Sequence, residues 1–511
     1  MGVFDTNFTI LDGIIIGVYL SGSLLVGIFV NRYIHNVTDY LVGGRASGAA
    51  LNVATYIGTG LGLVTLMYAS VDALSNGFSY VTLSLIGAIV GGILGSTGFV
   101  IQKFRRMELL TIPEYFEKRF NRPTRIVGGI ICALAGILNM GLFPKMGATF
   151  IAYATGLGGD DGSHELLING ITTALILLVL IYTVLGGMVS VIVTDYIQFV
   201  VLSTGMGIGV WFCLTHPDLG WNNMLQTMYE HRGERMFNPV AHNSYGWQWI
   251  VFNFVIFLAA GIAWAPEASR TLTGKDEKVA KQTFLFSMPG VFARLAIPAL
   301  WAVAAFCLIA RSPELTAHFF PDGLAGDAKH ASQAMPLAIG KILPTGLLGV
   351  LVAGLMAAFM STHDSYFLCW SSVIARDIIN PIRGGNMTDR QQILVTRISI
   401  VLIGLFLLVW GVWYETPRSI WNYMAVTGSI YLSGAFVVIV GGLYWKGASS
   451  AGALAGLLGG LFAIVGLFRE SFNEMTGLSL TAVEVGLMTF VICGVLFVVF
   501  SLVIPDRGGQ S

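Results

Sequence analysis

Long apolar runs alternate with short polar connections along the whole chain, centred near residues 20, 60, 90, 140, 177, 203, 255, 297, 353, 402, 430, 457 and 492. A helix needs about 20 apolar residues to cross a bilayer, so each run predicts a transmembrane helix. Two polar stretches are longer, Thr215–Trp249 and Arg311–Lys341; both read as loops, and neither carries a nucleotide or catalytic motif. The first run, Ile10–Val30, follows Asp5 rather than a basic patch and lacks a small-residue cleavage site after it. It therefore reads as a span and not as a signal peptide. The pattern predicts an all-α polytopic membrane protein.

Composition agrees. Of 511 residues 55% are hydrophobic and 11% charged, whereas soluble domains carry about 25% charged residues. Lys+Arg and Asp+Glu are equal at 28 each, so nothing points to nucleic acid. The five cysteines are far apart with no CxxC pair, which supports neither a disulfide framework nor a zinc site. No GxxxxGK[ST] run is present, so ATP-driven pumping and enzymatic chemistry are not expected, and the Pro505–Ser511 tail is too short for an output domain. With the N-terminus outside, 19 basic residues fall in cytoplasmic segments and 7 outside. That asymmetry predicts N-terminus out and C-terminus in, in a plasma or bacterial inner membrane.

Several residues inside the runs do not suit a passive span. The second run, Asn52–Thr65, has Gly58, Gly60 and Gly62 at its middle, among Thr55, Thr59 and Thr65. Such a helix can unwind and free backbone carbonyls for a small cation; alternatively, Gly58 and Gly62 form a GxxxG packing pair. In the third run Gly87, Gly91 and Gly95 recur without polar company, which predicts packing. The seventh run holds Gly261 and Pro266 where the helix should continue. It reads either as a second broken span, five after the first as a five-plus-five repeat requires, or as a proline near a helix end.

In the ninth run Ala358, Ser361, Thr362 and Ser365 share one helical face. Their hydroxyls suit Na+, or else bond their own i−4 carbonyls. Asp364 lies among them, and an unpaired carboxylate in a span costs at least about 2.5–3.5 kcal/mol, so a cation or proton is expected nearby. Asp195 reads as a further candidate or as an N-cap of the sixth span. Lys145 lies too deep to reach water easily and calls for a buried partner or an anionic solute. Arg294 is expected to snorkel, and His363 to be uninvolved.

Taken in order, these residues resemble the sodium:solute symporter family, the group of the proline, pantothenate, sialate and sodium/glucose carriers. Asp39–Arg45 is similar to the family's DYxLGGR motif, and Tyr182–Ser190 with Thr194, Asp195 and Gln198 fits its signature. The run from Gly346 through Ser361 and Thr362 to Ser371, Ser372 and Asp377 matches the ninth-span pattern, and Trp445–Lys446 with Gly452–Ala453 resembles a WKR–GA element. The resemblance implies about 13 transmembrane helices around a leucine-transporter-like five-plus-five inverted repeat core. It divides the chain into an extra helix and cytoplasmic loop (1–47), the first repeat (48–215), an extracellular loop (216–248), the second repeat (249–443) and two C-terminal helices with a short tail (444–511).

It also implies Na+-coupled import of a small organic solute by alternating access. The main Na+ site would use carbonyls of Gly58, Leu61 and Ala358 and hydroxyls of Ser361 and Thr362. Asp195, Asp364 and Ser365, together with Ser361, would form a second Na+ or H+ site, Asp364 standing where several members have a hydroxyl residue. Thr59, Gly60, Lys145, Trp264 and Asn422 would bind the solute, expected to be carboxylate or sugar-like. Lys145 resembles a lysine of the sugar branch and equally suits a carboxylate. Ala260, Gly261 and Ser79 replace the Tyr-Trp pair and Glu of sodium/glucose carriers, which disfavours a hexose. The acidic residue that proline carriers have near Gly60 is absent from the first broken helix. A proton-coupled symporter of the same fold, a transporter-like membrane sensor and a channel are the alternatives.

Overall fold

The computed structural model describes residues 2–30, 48–159, 162–241, 245–272, 274–414 and 419–506. The Asp39–Arg45 motif lies outside them, and so do the side chains of Tyr182, 185–193 and Arg270. All thirteen apolar centres fall on helical backbone, and the described residues contain no strand. The fold is all-α, as the hydrophobic pattern requires.

The helices that matter here are α1 (Ile10–Val30), α2 (Ala49–Gly60), α3 (Leu63–Asn76), α4 (Val81–Thr97), α5 (Arg122–Met140), α6 (Phe143–Ala154) and α7 (Gly162–Thr215). After a polar stretch come α8 (Trp247–Ala263), α9 (Ala265–Leu272), α10 (Glu277–Ala310), α11 (Leu347–Val373), α12 (Asp389–Trp413) and α13 (Ile420–Tyr444). The chain closes with α14 (Ser450–Gly459) and α15 (Ala482–Val503). Among the described residues nine helical stretches are long and apolar enough to cross a membrane, or ten with the bent pair Ser450–Gly466 and Arg469–Thr476. Two of the expected spans are interrupted. The second is split into α2 and α3, and the seventh into α8 and α9.

Helix α11 is the hub. Its apolar window is 89% buried, and it packs on α7, α1, α5, α12 and α2. The glycines of α4 serve packing, as their spacing predicted. A Cβ on Gly95 would lie 2.7 Å from the Leu285 nitrogen of α10, and one on Gly87 would lie 3.1 Å from Val291.

The N-terminus of α11 is held by α1. Asp12 Oδ1 accepts from the Gly346 and Gly349 amides, each at 2.7 Å, while Oδ2 accepts from the Thr9 amide and hydroxyl at 2.9 Å. The first amides of a helix have no partner within it, so this carboxylate caps α11 from another helix and also meets its dipole. Asp12→Ala is expected to cost about 1–2 kcal/mol. Thermal unfolding in detergent checks this, and an unchanged transition would remove the capping role.

Candidate functional site

The break in the second span lies at Leu61–Gly62. The ladder of α2 ends with Leu61 N donating to Ile57 O at 2.8 Å, and Leu61 turns out of helix at φ −96°, ψ 63°. From Gly58 onward, carbonyls therefore point beyond the last intrahelical amide, and they carry the negative end of the α2 dipole. Directly opposite is α11. Thr362 Oγ1 donates to Thr59 O at 3.5 Å, and a Cβ on Gly62 would sit 2.5 Å from that hydroxyl. Gly62 is thus both the break and a close-packing position; the two readings of the glycine run are one feature. Gly58 is looser, since its Cβ would lie 3.7 Å from Ser361 Oγ and from the Asp195 carbonyl oxygen.

The hydroxyl face of α11 continues from this point. Ser361 Oγ donates to Asp195 Oδ1 at 2.7 Å, Ser365 Oγ donates to Asp364 Oδ1 at 3.3 Å, and the Thr59 and Ser365 hydroxyls are 3.4 Å apart. Asp195 and Asp364 are both fully buried. Helical backbone runs through Asp195, so it is not an N-cap. Ala358 lies one turn before Thr362 on the same face and is buried. The five main-site residues and the three second-site residues therefore converge on one region between α2, α7 and α11. Hard oxygens supplied by hydroxyls, freed carbonyls and carboxylates form a donor set that fits Na+. His363 is turned away: its Nδ1 meets Phe359 O at 2.7 Å and its ring lies against Phe359.

A cavity of about 110 Å³ adjoins this region, and Thr59, Gly60, Trp264 and Thr362 are among its walls. Trp264 is the break in the seventh span. It leaves helix at φ −70°, ψ 107°, and α9 starts directly after it with Pro266 in the first turn, where a proline lacks no bond. Its indole Nε1 donates to the Tyr366 hydroxyl of α11 at 3.0 Å, and the ring packs edge-on against Trp370. Both broken spans thus rest on α11.

Two expected solute residues lie elsewhere. Lys145 Nζ donates to Tyr414 O at 3.0 Å and lines a separate cavity with Thr149, His164 and Lys329. Asn422 is not among the wall residues of the cavity, whereas its neighbour Trp421 is. Ser419 caps the Asn422 amide at 3.2 Å. Ser79 also stands apart, its hydroxyl bonded to Asn76 O at 2.6 Å, whereas Ala260 does line the cavity.

The family model for sodium:solute symporters matches residues 40–460. The chain belongs to the sodium:solute symporter family. Human High affinity choline transporter 1 is 26% identical over 443 residues, 83% of this chain and 69% of that protein. The sodium/sialic acid symporter SiaT of Proteus mirabilis is 24% identical over 476 residues, 90% of this chain and 88% of that one. A substrate-bound, outward-open Na+-coupled sialic acid symporter superposes with a TM-score of 0.78 at 20% identity, over 97% of this chain and 98% of that one, which shows the shared leucine-transporter-like fold. The protein is a multi-pass membrane transporter with Na+ as coupling ion, and not an enzyme.

The symporter's cavity also holds charges that the sequence reading placed wrongly or passed over. Arg294 does not snorkel. Its Nη1 lies 3.2 Å from Glu267 Oε1 and donates to Gly60 O at 3.3 Å, with both side chains largely buried. Glu267 follows Pro266 at the second break and brings to Gly60 the acidic group that the first broken helix lacks. The available signal was two opposite charges in apolar runs, each needing a partner. Asn139 is a further wall residue, and nothing in its local sequence marked it.

Proposed function

We propose that this symporter imports a small organic solute by alternating access, with Na+ bound between the first broken helix and α11. The observation that carries the reading is the helix break at Leu61–Gly62 facing the Ser361 and Thr362 hydroxyls, with the cavity against the same residues. Na+ would take the carbonyls of Gly58, Leu61 and Ala358 and the hydroxyls of Ser361 and Thr362, and a second Na+ or a proton would use Asp195, Asp364 and Ser365. The repeats would run over 48–215 and 249–443, with the N-terminus outside, as the basic residues favour. Thr59 and Gly60 lie on the cavity wall while Thr59 also meets Thr362 and Ser365. An ion that orders this segment therefore pre-forms the solute site, and each ligand tightens the other reciprocally.

One Na+ crossing 100 mV releases about 2.3 kcal/mol, and a tenfold gradient adds about 1.4 kcal/mol. Together these support a solute gradient of roughly 400- to 500-fold. A single ion suffices for scavenging.

The test is thermal unfolding of the purified protein in NaCl, KCl and N-methylglucamine chloride at equal ionic strength. A ligand of the folded state stabilises by RT ln(1 + [L]/Kd). The transition should rise in NaCl alone, and Ser361→Ala or Thr362→Ala should lower the apparent Na+ affinity at least about tenfold. Equal behaviour in all three salts would overturn the sodium site. Stabilisation on acidification without Na+, abolished by Asp364→Asn, would instead favour proton coupling.

A further inference from the structure

The walls of the central cavity carry two kinds of unmet hydrogen-bonding capacity, on different helices. One is at Arg294. Among the described residues its Nη1 meets Glu267 and Gly60, and its Nε is buried without a partner. A guanidinium presents five N–H donors in a planar fork and no acceptor. Arg294 therefore offers donors to an oxyanion, in the geometry that suits a carboxylate.

The other is at Asn139 of α5, 3% exposed and also on the cavity wall. Its Nδ2 is committed twice, to Met424 O and to Thr427 Oγ1 of α13, each at 2.9 Å. That commitment fixes the amide's orientation and leaves Oδ1 as a buried acceptor with no partner among the described residues. An unmet buried acceptor costs about 1–3 kcal/mol, so a ligand bearing an N–H or O–H donor is favoured there. The aromatic rings of Tyr68, Trp264, Tyr366 and Trp421 share this cavity, with Tyr68 and Trp421 at 5.2 Å between centroids. Such faces attract an ammonium group.

Charge and size narrow the class. The Arg294–Glu267 pair is neutral as a unit, so a zwitterion can set its carboxylate on Arg294 without adding net charge at this wall. The cavity, at about 110 Å³, is smaller than the cavity of about 150 Å³ that holds benzene, which points to a small solute. We infer that the solute is a small zwitterion of amino-acid type, its carboxylate on Arg294 and its ammonium N–H on Asn139 Oδ1 among the aromatic rings. This inference rests on the reading of the central cavity as the solute site.

The experiment is thermal unfolding of the full-length protein in NaCl with single additions, each at about 10 mM. The additions are the small proteinogenic amino acids, glycine betaine (a zwitterion without an N–H), lactate (a hydroxy acid), choline (a cation) and glucose. At least one amino acid should raise the transition, and its apparent affinity should exceed those of lactate, choline and betaine about tenfold or more. Replacing Arg294→Gln and Glu267→Gln together removes both charges without stranding either, and should weaken that amino acid at least about tenfold while stabilisation by NaCl persists. A response led by choline, lactate, betaine or glucose overturns the inference, as does a response to nothing in the panel or undiminished amino-acid binding by the paired variant. If the paired variant does not fold, the panel on the unaltered protein decides. Failure of NaCl itself to stabilise the unaltered protein would instead strike the sodium-site reading, so the two failures are distinguishable.

Discussion

Gly62→Val is expected to abolish sodium-specific stabilisation, or to raise the half-maximal NaCl concentration more than about tenfold. A Cβ at position 62 would lie 2.5 Å from Thr362 Oγ1 and 3.1 Å from both Thr362 Cβ and Cγ2. Such approaches are well inside contact distance, so either the Thr362 side chain or the break itself must move. The donors on the two sides of the proposed site then no longer face one another. A misplacement of about 1 Å in a built site costs on the order of a hundredfold in function, and Thr362 has little room to give because it is itself buried. Two controls separate this from a general packing defect. Gly207→Ala on α7 meets nothing within 4 Å and should behave as the unaltered protein does. Gly58→Ala meets only ordinary contacts at 3.7 Å and should be mild. Equal damage from Gly58→Ala would mean that helix packing in general is at stake rather than the Thr362 hydroxyl.

Asp377→Ala should be the most destabilising single change away from the ion site, by about 3–5 kcal/mol. Asp377 is fully buried in the π-helical turn Ile374–Ile379 that follows α11. Its Oδ1 accepts from Arg125 Nε and from Thr111 Oγ1, each at 2.8 Å. Arg125 also meets Glu117 Oε2 at 2.6 Å and donates to Arg376 O at 3.2 Å. The group ties the end of α11 to α5 and to the short helix Glu114–Arg119. Removing the carboxylate strips a largely buried guanidinium of its buried counter-charge and leaves it the partly exposed Glu117, and loss of a buried partner is what makes such a change costly. The comparison that isolates this is a double-mutant cycle by thermal unfolding. Asp377→Leu and Arg125→Met should each be severe, while the two combined should recover most of the loss. Additive damage in the double variant would show that the residues act through packing and not as a pair. The Ser361 and Thr362 hydroxyls are on the same helix, so severe single variants should also lose the sodium response.

Local information was enough for much of this molecule. Apolar runs of span length define the helices because only a helix satisfies the backbone in a bilayer within a single segment. The glycines at 58–62 and Gly261 with Pro266 announce the two interruptions, because backbone freedom and a missing amide act where they stand. Ser361, Thr362 and Ser365 declare their shared face by spacing alone. Partner choice was not local. Arg294 meets Glu267 27 positions away, Arg125 meets Asp377 across 252, and Asn139 meets Met424 across 285. An isolated charge in a span only announces that it needs compensation; which group compensates it depends on how the helices rotate and cross. The same rotation puts Trp421 instead of Asn422 on the cavity wall and carries Lys145 to a different cavity. The chain by itself thus determined where helices form, where they break and which face carries hydroxyls. Tertiary packing decided which polar groups meet, because that depends on contacts between helices far apart in sequence and not on any residue's own neighbours.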